Sequence, residues 1–489
     1  LGDVYKRQMI EFVIALAVLV GGYFLYGGLM ERVIGTDPSR AMPAFTKRDN
    51  VDYMPMSNWR AFLVQFLNIA GLGPIFGAIM GVMYGPSAFL WIVFGTIFAG
   101  AVHDFLSGVI SIRMGGASLP EIVGRELGGG IKKVMLVFAT LLLLLVTAVF
   151  IITPAGLLAT MTPGWMDATF WICAIFAYYL LATLLPIDKL IGRLYPLFGL
   201  SLLFMAVALL GVLFFGNVSL DMGFANGLGT RFSGAAAATH PVWPMMFVSI
   251  ACGAISGFHA TQSPMIARCL TNEKYARPIF YGAMVAEGIV ALIWAAATIA
   301  FTGGYAQLDA YMAANGSNAG ALVHDISFDW LGTFGGILAI LGVVAAPITT
   351  GDTALRSARL MVADFAKFGQ TKIWSRLAIT IPLCAVVGAI LMIDFSVLWR
   401  YFAWCNQTLA TFTLWAVTMY LARHGKPYIV SLLPALFMTA VCTTYVLFAP
   451  RPEGFGLGLP VAVTAAVGVS AVLGIMFMRH LRSITTTQR

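Results

Sequence analysis

The residues best suited to chemistry lie inside an apolar stretch near the middle of the chain, between Ile250 and Arg268. Its polar and small residues ahead of Pro264 include Ser256, Gly257, His259, Thr261, Gln262 and Ser263. An imidazole can change protonation in the working pH range, and amides and hydroxyls can bind a carboxylate or a peptide group. Glycine and proline at membrane depth are tolerated where the backbone lines a cavity or is buried in protein. The stretch is therefore predicted to be an interrupted helix that lines a binding site.

A second interrupted stretch occurs earlier, where Asn68, Gly71, Gly73 and Pro74 follow one another within an apolar run. An unwound turn there would offer free carbonyls to a cation and free amides to an anion. Two such segments in corresponding halves of a chain point to the binding site of a transporter. We therefore expect the two stretches to bind substrate together.

Both stretches also have a structural interpretation. The first could be a kink that packs neighbouring helices closely. In the second, the hydroxyls could bond the preceding helical turn, and Gln262 could bond a neighbouring helix.

A cluster of oxygen-bearing side chains lies further on, at Thr349, Thr350, Asp352 and Thr353. Hard cations prefer such oxygen ligands, and a buried carboxylate can carry a proton. The cluster is a candidate ion-coupling site. In the alternative, this is a helix end at which Asp352 pairs with Arg356 one turn away, a contact worth only a few tenths of a kcal/mol.

Three more ionisable residues lie inside apolar stretches, namely His103, Asp104 and Glu287. Ionisable groups at membrane depth are functional candidates by default. We expect them to support the site. The alternative for His103 and Asp104 is a structural pair near the cytoplasmic end of a helix, close to Arg113.

The composition identifies the class of protein. The chain has 489 residues, of which 60% are hydrophobic and 10% charged, against about 25% charged in soluble domains. Apolar runs near 20 residues recur throughout, which predicts an all-α polytopic membrane protein. The net charge of +8 is explained by Lys and Arg in short loops, so we expect no nucleic-acid partner. None of the six cysteines has metal-ligand spacing, and we expect no metal site and no disulfide.

Thirteen membrane spans are predicted. They cover approximately residues 10–30, 60–83, 87–112, 134–156, 169–186, 195–215, 242–262, 278–301, 333–365, 374–393, 397–421, 428–448 and 457–479. The ninth exceeds the length of about 20 residues that one crossing needs, so we expect its polar C-terminal half to extend beyond the bilayer.

The loop charges indicate an orientation. Lys and Arg concentrate after the odd-numbered spans, whereas the loops after even-numbered spans contain only Arg231, Arg400 and Arg451. Because cytoplasmic loops are enriched in these residues, the N-terminus is predicted outside and the C-terminus in the cytoplasm. Residues 1–8 would then carry Lys6 and Arg7 on the outer side, and we expect them to be extraneous to the natural chain. No cleavable signal is expected.

The interrupted segments are the second and seventh spans. An offset of five spans gives them opposite directions across the membrane, as an inverted repeat requires. We therefore expect a leucine-transporter-like core of five plus five spans. The predicted divisions are the artefactual 1–8, an N-terminal helix and cytoplasmic loop at 9–58, the first repeat at 59–215, the second repeat at 216–421, and two C-terminal helices with a tail at 422–489.

Long motifs resemble a known family. They read AGLGPIFGAIMG, LWIVFGTIFAGAVHDFLSGVISIRMGG, ISGFHATQSPMIARCLTNEKYARPIFYGAMVAEGIVALIWAAA and GDTALRSARL. The sequence resembles the carbon starvation protein A family from about Trp59 to the tenth span. The resemblance implies a bacterial inner-membrane secondary transporter induced on nutrient limitation, related to the amino acid–polyamine–organocation transporters. Members are associated with peptide uptake, and related members with proton-driven pyruvate import. The chain resembles the shorter form of the family.

These patterns predict a cation-coupled symporter of small carboxylate-bearing nutrients, peptides or pyruvate-like acids. A proton would be carried by His259 or Asp352, or sodium bound by Thr349, Thr350 and Thr353. No cofactor beyond the coupling ion, H⁺ or Na⁺, is expected. The expected partners are the lipid bilayer and the substrate. An alternative is a nutrient sensor that acts through a signalling partner. An enzyme is disfavoured because HExxH, GxSxG and metal-ligand clusters are absent from the sequence.

Overall fold

The computed structural model describes the backbone of residues 2–50, 52–182, 187–216, 218–370, 372–393 and 395–487. At 2–8, 187–196, 235, 395–396 and 484–487 it describes the backbone alone. Across these ranges the regular secondary structure is helical throughout. The end of the predicted fifth span, at 183–186, lies outside the described residues.

Eight helices form the first half of the chain. They are α1 (Gly2–Ile34), α2 (Asn58–Ile69), α3 (Gly73–Val82), α4 (Ser87–Arg113), α5 (Leu119–Leu127), α6 (Gly129–Met161), α7 (Ala168–Ala182) and α8 (Ile187–Phe215). Helix α4 is wound as a π-helix over Trp91–Gly100. Sequence periodicity did not predict this local widening.

Nine helices form the second half. They are α9 (Phe247–Ser249), α10 (His259–Ala267), α11 (Glu273–Thr302), α12 (Tyr305–Ala314), α13 (Ala319–Ala366), α14 (Ile373–Ile390), α15 (Phe395–Arg423), α16 (Ile429–Phe448) and α17 (Leu459–Thr487). A π-helical turn, Val242–Met246, leads into α9. Shorter helical turns occupy Pro43–Thr46, Phe224–Asn226 and Gly234–Thr239.

Within the described ranges, nine helices are long and apolar enough to cross a membrane, or ten if the bent pair α2–α3 counts as one span. The predicted all-α polytopic membrane protein is confirmed. The count of thirteen and the inverted repeat stay predictions. Of the other predicted spans, one coincides with the 15-residue helix α7, one is broken, and one is α15, which carries Asn406 and Gln407 in its middle.

The first predicted interruption is present. Helices α2 and α3 meet at an angle of 43° across three residues, 70–72. Pro74 stands in the first turn of α3, where its missing N–H and fixed φ suit a helix start and prevent continuation of a preceding helix. The Gly–Pro spacing therefore ends one helix and begins the next.

The second predicted interruption is also present, and it is longer. Helix α9 ends at Ser249 and the chain stays non-helical until α10 begins at His259. Gly253 has φ +87°, a left-handed conformation that glycine adopts without steric penalty. We call residues 250–258 the unwound segment.

The two interruptions pack in direct contact with each other. One face of α3 presents Gly73, Gly77 and Gly81, which recur every four residues. A Cβ on Gly73 would lie 2.1 Å from Cys252 Cβ, and one on Gly81 would lie 2.3 Å from Cγ1 of Ile250. Small residues at this spacing let helices in membranes approach closely, so α3 packs directly on the unwound segment.

The long helix α13 bends at Gly332, where φ is +65°, one residue before the predicted start of the ninth span. Its polar second half is packed inside the protein, with Asp352 and Arg356 both at 0% exposure. The short helix α12 follows α11.

We predict that Gly73→Ala lowers the free energy of unfolding by about 1–3 kcal/mol, because an added methyl overpacks a closely packed core. Cys252→Gly should partly restore stability in the double variant, because it removes the clashing Cβ. Denaturant unfolding of purified protein in detergent measures both. Gly388→Ala is the matched control, since nothing lies within 4 Å of a Cβ added there. A Gly73→Ala variant as stable as this control would contradict the packing of the two interruptions.

Candidate substrate and coupling site

Asn406, in the middle of α15, binds the unwound segment at both ends. Its Oδ1 accepts hydrogen bonds from the Phe258 N–H at 2.7 Å and from Ser256 Oγ at 3.1 Å. Its Nδ2 donates to Ala251 O at 2.9 Å, and its own carbonyl accepts from the Gly257 N–H at 3.2 Å. A Cβ on Gly257 would lie 2.3 Å from Asn406 O, so only glycine allows this approach.

Three further side chains pair other backbone groups of the unwound segment. Gln407 Nε2 donates to Ile250 O at 3.3 Å. Thr96 Oγ1, from the π-helical part of α4, donates to Gly253 O at 2.9 Å. The Gly253 N–H donates to Glu287 Oε1 of α11 at 3.1 Å. Side chains of neighbouring helices therefore replace part of the hydrogen bonding that the unwound segment gives up by leaving the helix.

A chain of ionisable side chains runs through the same place. His103 Nδ1 lies 2.7 Å from Asp104 Oδ1, and Asp104 Oδ2 lies 2.8 Å from His259 Nδ1. On the other edge of its ring, His259 Nε2 lies 3.5 Å from Glu287 Oε2. All four side chains have 0% exposure. An imidazolium at His259 would thus stand between two buried carboxylates, one on α4 and one on α11.

Threonine hydroxyls of α13 form hydrogen bonds with the end of α2. Thr350 Oγ1 donates to Leu67 O at 3.0 Å, and Thr353 Oγ1 lies 3.3 Å from Asn68 Oδ1. Thr349 Oγ1 bonds carbonyls of its own helix, at Ala345 and Ala346. Gly71 lies beside Thr350, whose Oγ1 would be 3.1 Å from a Cβ there. The hydroxyls join the first interruption to α13.

Asp352 is fully buried on α13 between Thr350 and Thr353. Arg356, the partner of Asp352 in the alternative interpretation, contacts two other residues. Arg356 Nη2 donates to Ala182 O at 2.7 Å, and its Nη1 lies 3.9 Å from Asp52 Oδ1.

Several buried amide atoms near the two interruptions have no hydrogen-bond partner among the described residues. They are both polar atoms of Gln65, Nδ2 of Asn68 and Oε1 of Gln262. Gln262 Nε2 bonds Thr261 Oγ1 at 2.9 Å and Ser357 Oγ at 3.3 Å. Asn68 of α2 contacts Thr353, and Gln262 of α10 contacts Ser357. Because Ser357 lies one turn after Thr353, the two amides bind successive turns of α13. We call Gln65, Asn68 and Gln262 the amide group.

The hydroxyls of α10 donate to carbonyls of the preceding turn. Thr261 Oγ1 donates to Phe258 O at 2.6 Å, and Ser263 Oγ donates to His259 O at 3.0 Å. This is the local bonding given by the structural alternative for these two residues, and Gln262 reaches a neighbouring helix as that alternative also described.

Many of the predicted site residues belong to one of two groups. His259, Asp104, Glu287 and His103 form the ionisable chain, and the residues of α2 and α13 form the oxygen-rich contact beside it. Sequence reasoning missed Gln65, Thr96, Asn406 and Gln407. The adjacent Asn406 and Gln407 in an apolar span were a visible signal, because polar side chains at membrane depth seek partners. Their target could not be inferred from sequence.

The chain matches the family described as "Carbon starvation protein CstA" over residues 7–166, 164–330 and 319–445. It belongs to this family. The family resemblance identified from the motifs is thereby confirmed.

Relatives of this CstA-family protein include transporters. It is 31% identical over 351 residues to the peptide transporter CstA of Campylobacter jejuni, covering 58% of this chain and 48% of that one. It is 29% identical over 333 residues to the pyruvate/proton symporter BtsT of Escherichia coli, covering 55% and 46%. The chain thus spans about half the length of these relatives. An uncharacterized membrane protein of Haemophilus influenzae is 44% identical over 338 residues, covering 60% of this chain and 91% of that one.

A solved structure has the same overall fold. The manganese transporter of Eremococcus coleocola, crystallised with an aromatic bis-isothiourea compound, superposes with a TM-score of 0.52 at 13% identity. The superposition covers 89% of this chain and 99% of the transporter. The likeness is one of overall fold.

We predict that Asn406→Leu strongly destabilises the protein. The change leaves the Phe258 N–H and the Ala251 carbonyl buried without a partner, and each such group costs about 1–3 kcal/mol. Denaturant unfolding in detergent measures the loss.

Thr413→Val on the same helix is the control for Asn406→Leu. Among the described residues, the bond that Thr413 Oγ1 makes is to Leu409 O, one turn back in α15, so its removal should change the unfolding free energy little. Equal stability of the two variants would show that Asn406 does not hold the unwound segment.

Proposed function

We propose that this protein is a proton-coupled importer of small peptides, located in the bacterial inner membrane. The single observation that carries the proposal is the buried chain His103–Asp104–His259–Glu287 beside the unwound segment. Chains of Asp, Glu and His inside membrane proteins commonly relay protons. In this protein the ionisable side chains contact the unwound segment, which would also enclose the solute. A change of protonation could therefore change solute binding.

Coupling would act through Glu287. Its Oε2 faces His259, whereas its Oε1 accepts from the Gly253 N–H. A proton that neutralises this carboxylate weakens a charge-assisted hydrogen bond to the backbone. The proposal therefore connects proton arrival at His259 or Glu287 to a change in the unwound segment. The buried chain of histidines and carboxylates offers groups that bind protons, which favours H⁺ over Na⁺ in this proposal.

The amide group supports a peptide substrate. Amide side chains both donate and accept hydrogen bonds, as peptide bonds do, and the unpaired atoms of Gln65, Asn68 and Gln262 leave both capacities open. The buried carboxylates Asp104 and Glu287 would repel a ligand that carries only negative charge. The ammonium group of a zwitterionic peptide offsets this repulsion, so we favour peptides over pyruvate.

Release would occur on the side of α10 where Arg268 lies, which the loop charges place in the cytoplasm. Arg268 Nη2 bonds Asp364 Oδ2 at 3.1 Å, and its guanidinium lies 5.0 Å from the Tyr53 ring. A small recess reaches from Thr261 and Ser357 to this arginine. Opening of the Arg268–Asp364 contact would therefore connect the amide group with the cytoplasm.

We predict that purified protein in proteoliposomes accumulates a labelled dipeptide when the outside is made acidic, and that an imposed Na⁺ gradient has no effect. Glu287→Gln should abolish this accumulation while it preserves dipeptide counterflow. A glutamine still accepts from the Gly253 N–H, but it neither carries the charge nor releases a proton.

Glu121→Gln is the control for this experiment, because Glu121 forms a partly exposed pair with Lys132, of a kind that contributes little. Proton-driven accumulation that survives Glu287→Gln would contradict the coupling assignment. Accumulation of pyruvate in place of dipeptide would overturn the substrate assignment alone. Dipeptide binding without any uptake or counterflow would indicate a sensor.

A further inference from the structure

We propose that Cys252, His259 and Glu287 form a binding site for a divalent transition-metal ion of the zinc class. Cys252 Sγ, a ring nitrogen of His259 and a carboxylate oxygen of Glu287 all lie within 4.8 Å of one another, and all three residues are buried. This inference departs from the sequence-based expectation of no metal site, since the ligands come from the unwound segment, α10 and α11.

Two of the donor atoms lack hydrogen bonds. His259 Nε2 and Glu287 Oε2 face each other at 3.5 Å, and neither has a hydrogen-bond partner among the described residues. Both side chains have 0% exposure. Leaving buried polar atoms without a partner is unfavourable. An ion between them would satisfy both.

Each donor is held in place by a second group. Asp104 Oδ2 lies 2.8 Å from His259 Nδ1, which leaves Nε2 as the free ring nitrogen. Glu287 Oε1 accepts from the Gly253 N–H at 3.1 Å, and Asn406 Nδ2 lies 3.7 Å from Cys252 Sγ. A carboxylate behind a metal-binding histidine is the usual way in which proteins orient the ring.

The donor set determines the class of ion. Sulfur, imidazole and a single carboxylate suit Zn²⁺ and similar ions, whereas Mg²⁺ and Ca²⁺ require oxygen ligands. A thiolate and a carboxylate together offset the double charge of the ion, so the ion and its three ligands carry no net charge in the interior. The thiol proton, and any proton on His259 Nε2, leave to solvent, so affinity falls as the pH falls. Three protein ligands leave a fourth position for water or a solute atom.

The test is a titration of the full chain, purified in detergent, with Co²⁺. We expect one tightly bound ion per chain, a sulfur-to-cobalt charge-transfer band in the near ultraviolet, and displacement of both signals by Zn²⁺. Cys252→Ser should remove the charge-transfer band. Asp104→Asn should weaken binding by about 10–100-fold, since it alters the group that orients His259.

Cys384→Ser is the control, because Cys384 is a buried free cysteine on α14. Its charge-transfer band should equal that of the parent protein. The proposal is overturned if folded, monodisperse parent protein binds no Co²⁺, or if the sulfur band survives Cys252→Ser. A bound ion would occupy His259 Nε2 and Glu287 Oε2, which are also the atoms proposed to take up protons, so uptake is measured on protein freed of metal with a chelator. Because the titration uses no gradient and no peptide, its failure leaves the uptake proposal standing, and failed uptake by the metal-free protein leaves the metal site standing.

Discussion

The structure depends on how the backbone of the unwound segment is paired away from water. Residues 250–258 leave the helix inside a protein whose surroundings offer few hydrogen-bonding groups, and unpaired peptide groups there cost several kcal/mol. Asn406 supplies a donor near the start of the segment and an acceptor at its end, and Gln407, Thr96 and Glu287 pair the groups of Ile250 and Gly253. These partners come from α4, α11 and α15. Their hydrogen bonds to the unwound segment therefore fix the positions of the three helices relative to one another.

The same pairing places the ionisable chain. Glu287 uses one carboxylate oxygen for the Gly253 N–H and turns the other toward His259. Asp104 is shared in the same manner between His103 and His259. Any change of charge on these groups therefore acts on the backbone of the break. The first interruption is linked less directly, through the glycines of α3 that pack on Cys252 and Ile250.

Much of this arrangement could be predicted from the sequence. Gly71, Gly73 and Pro74 end a helix for reasons contained in their own backbone preferences, and the polar run after Gly253 predicted the second break. What the sequence could not provide is contact across long separations. Asp104 and His259 are 155 residues apart, and Asn406 is 148 residues from Phe258. A buried Cys252 reads as a small apolar residue until its neighbours are known. Thr261 and Ser263 show the converse case. The sequence suggests that their hydroxyls bind a substrate, whereas in the structure they donate to carbonyls of their own helical turn.

Hydrogen–deuterium exchange of the detergent-purified protein tests the paired break most directly. If side chains hold the unwound segment, the amides of Gly253, Gly257 and Phe258 should exchange as slowly as those of the adjoining helix α10, although they belong to no helix. Exchange as fast as that of the loop at 222–233 would contradict the account, since it would show that these backbone groups are open to water.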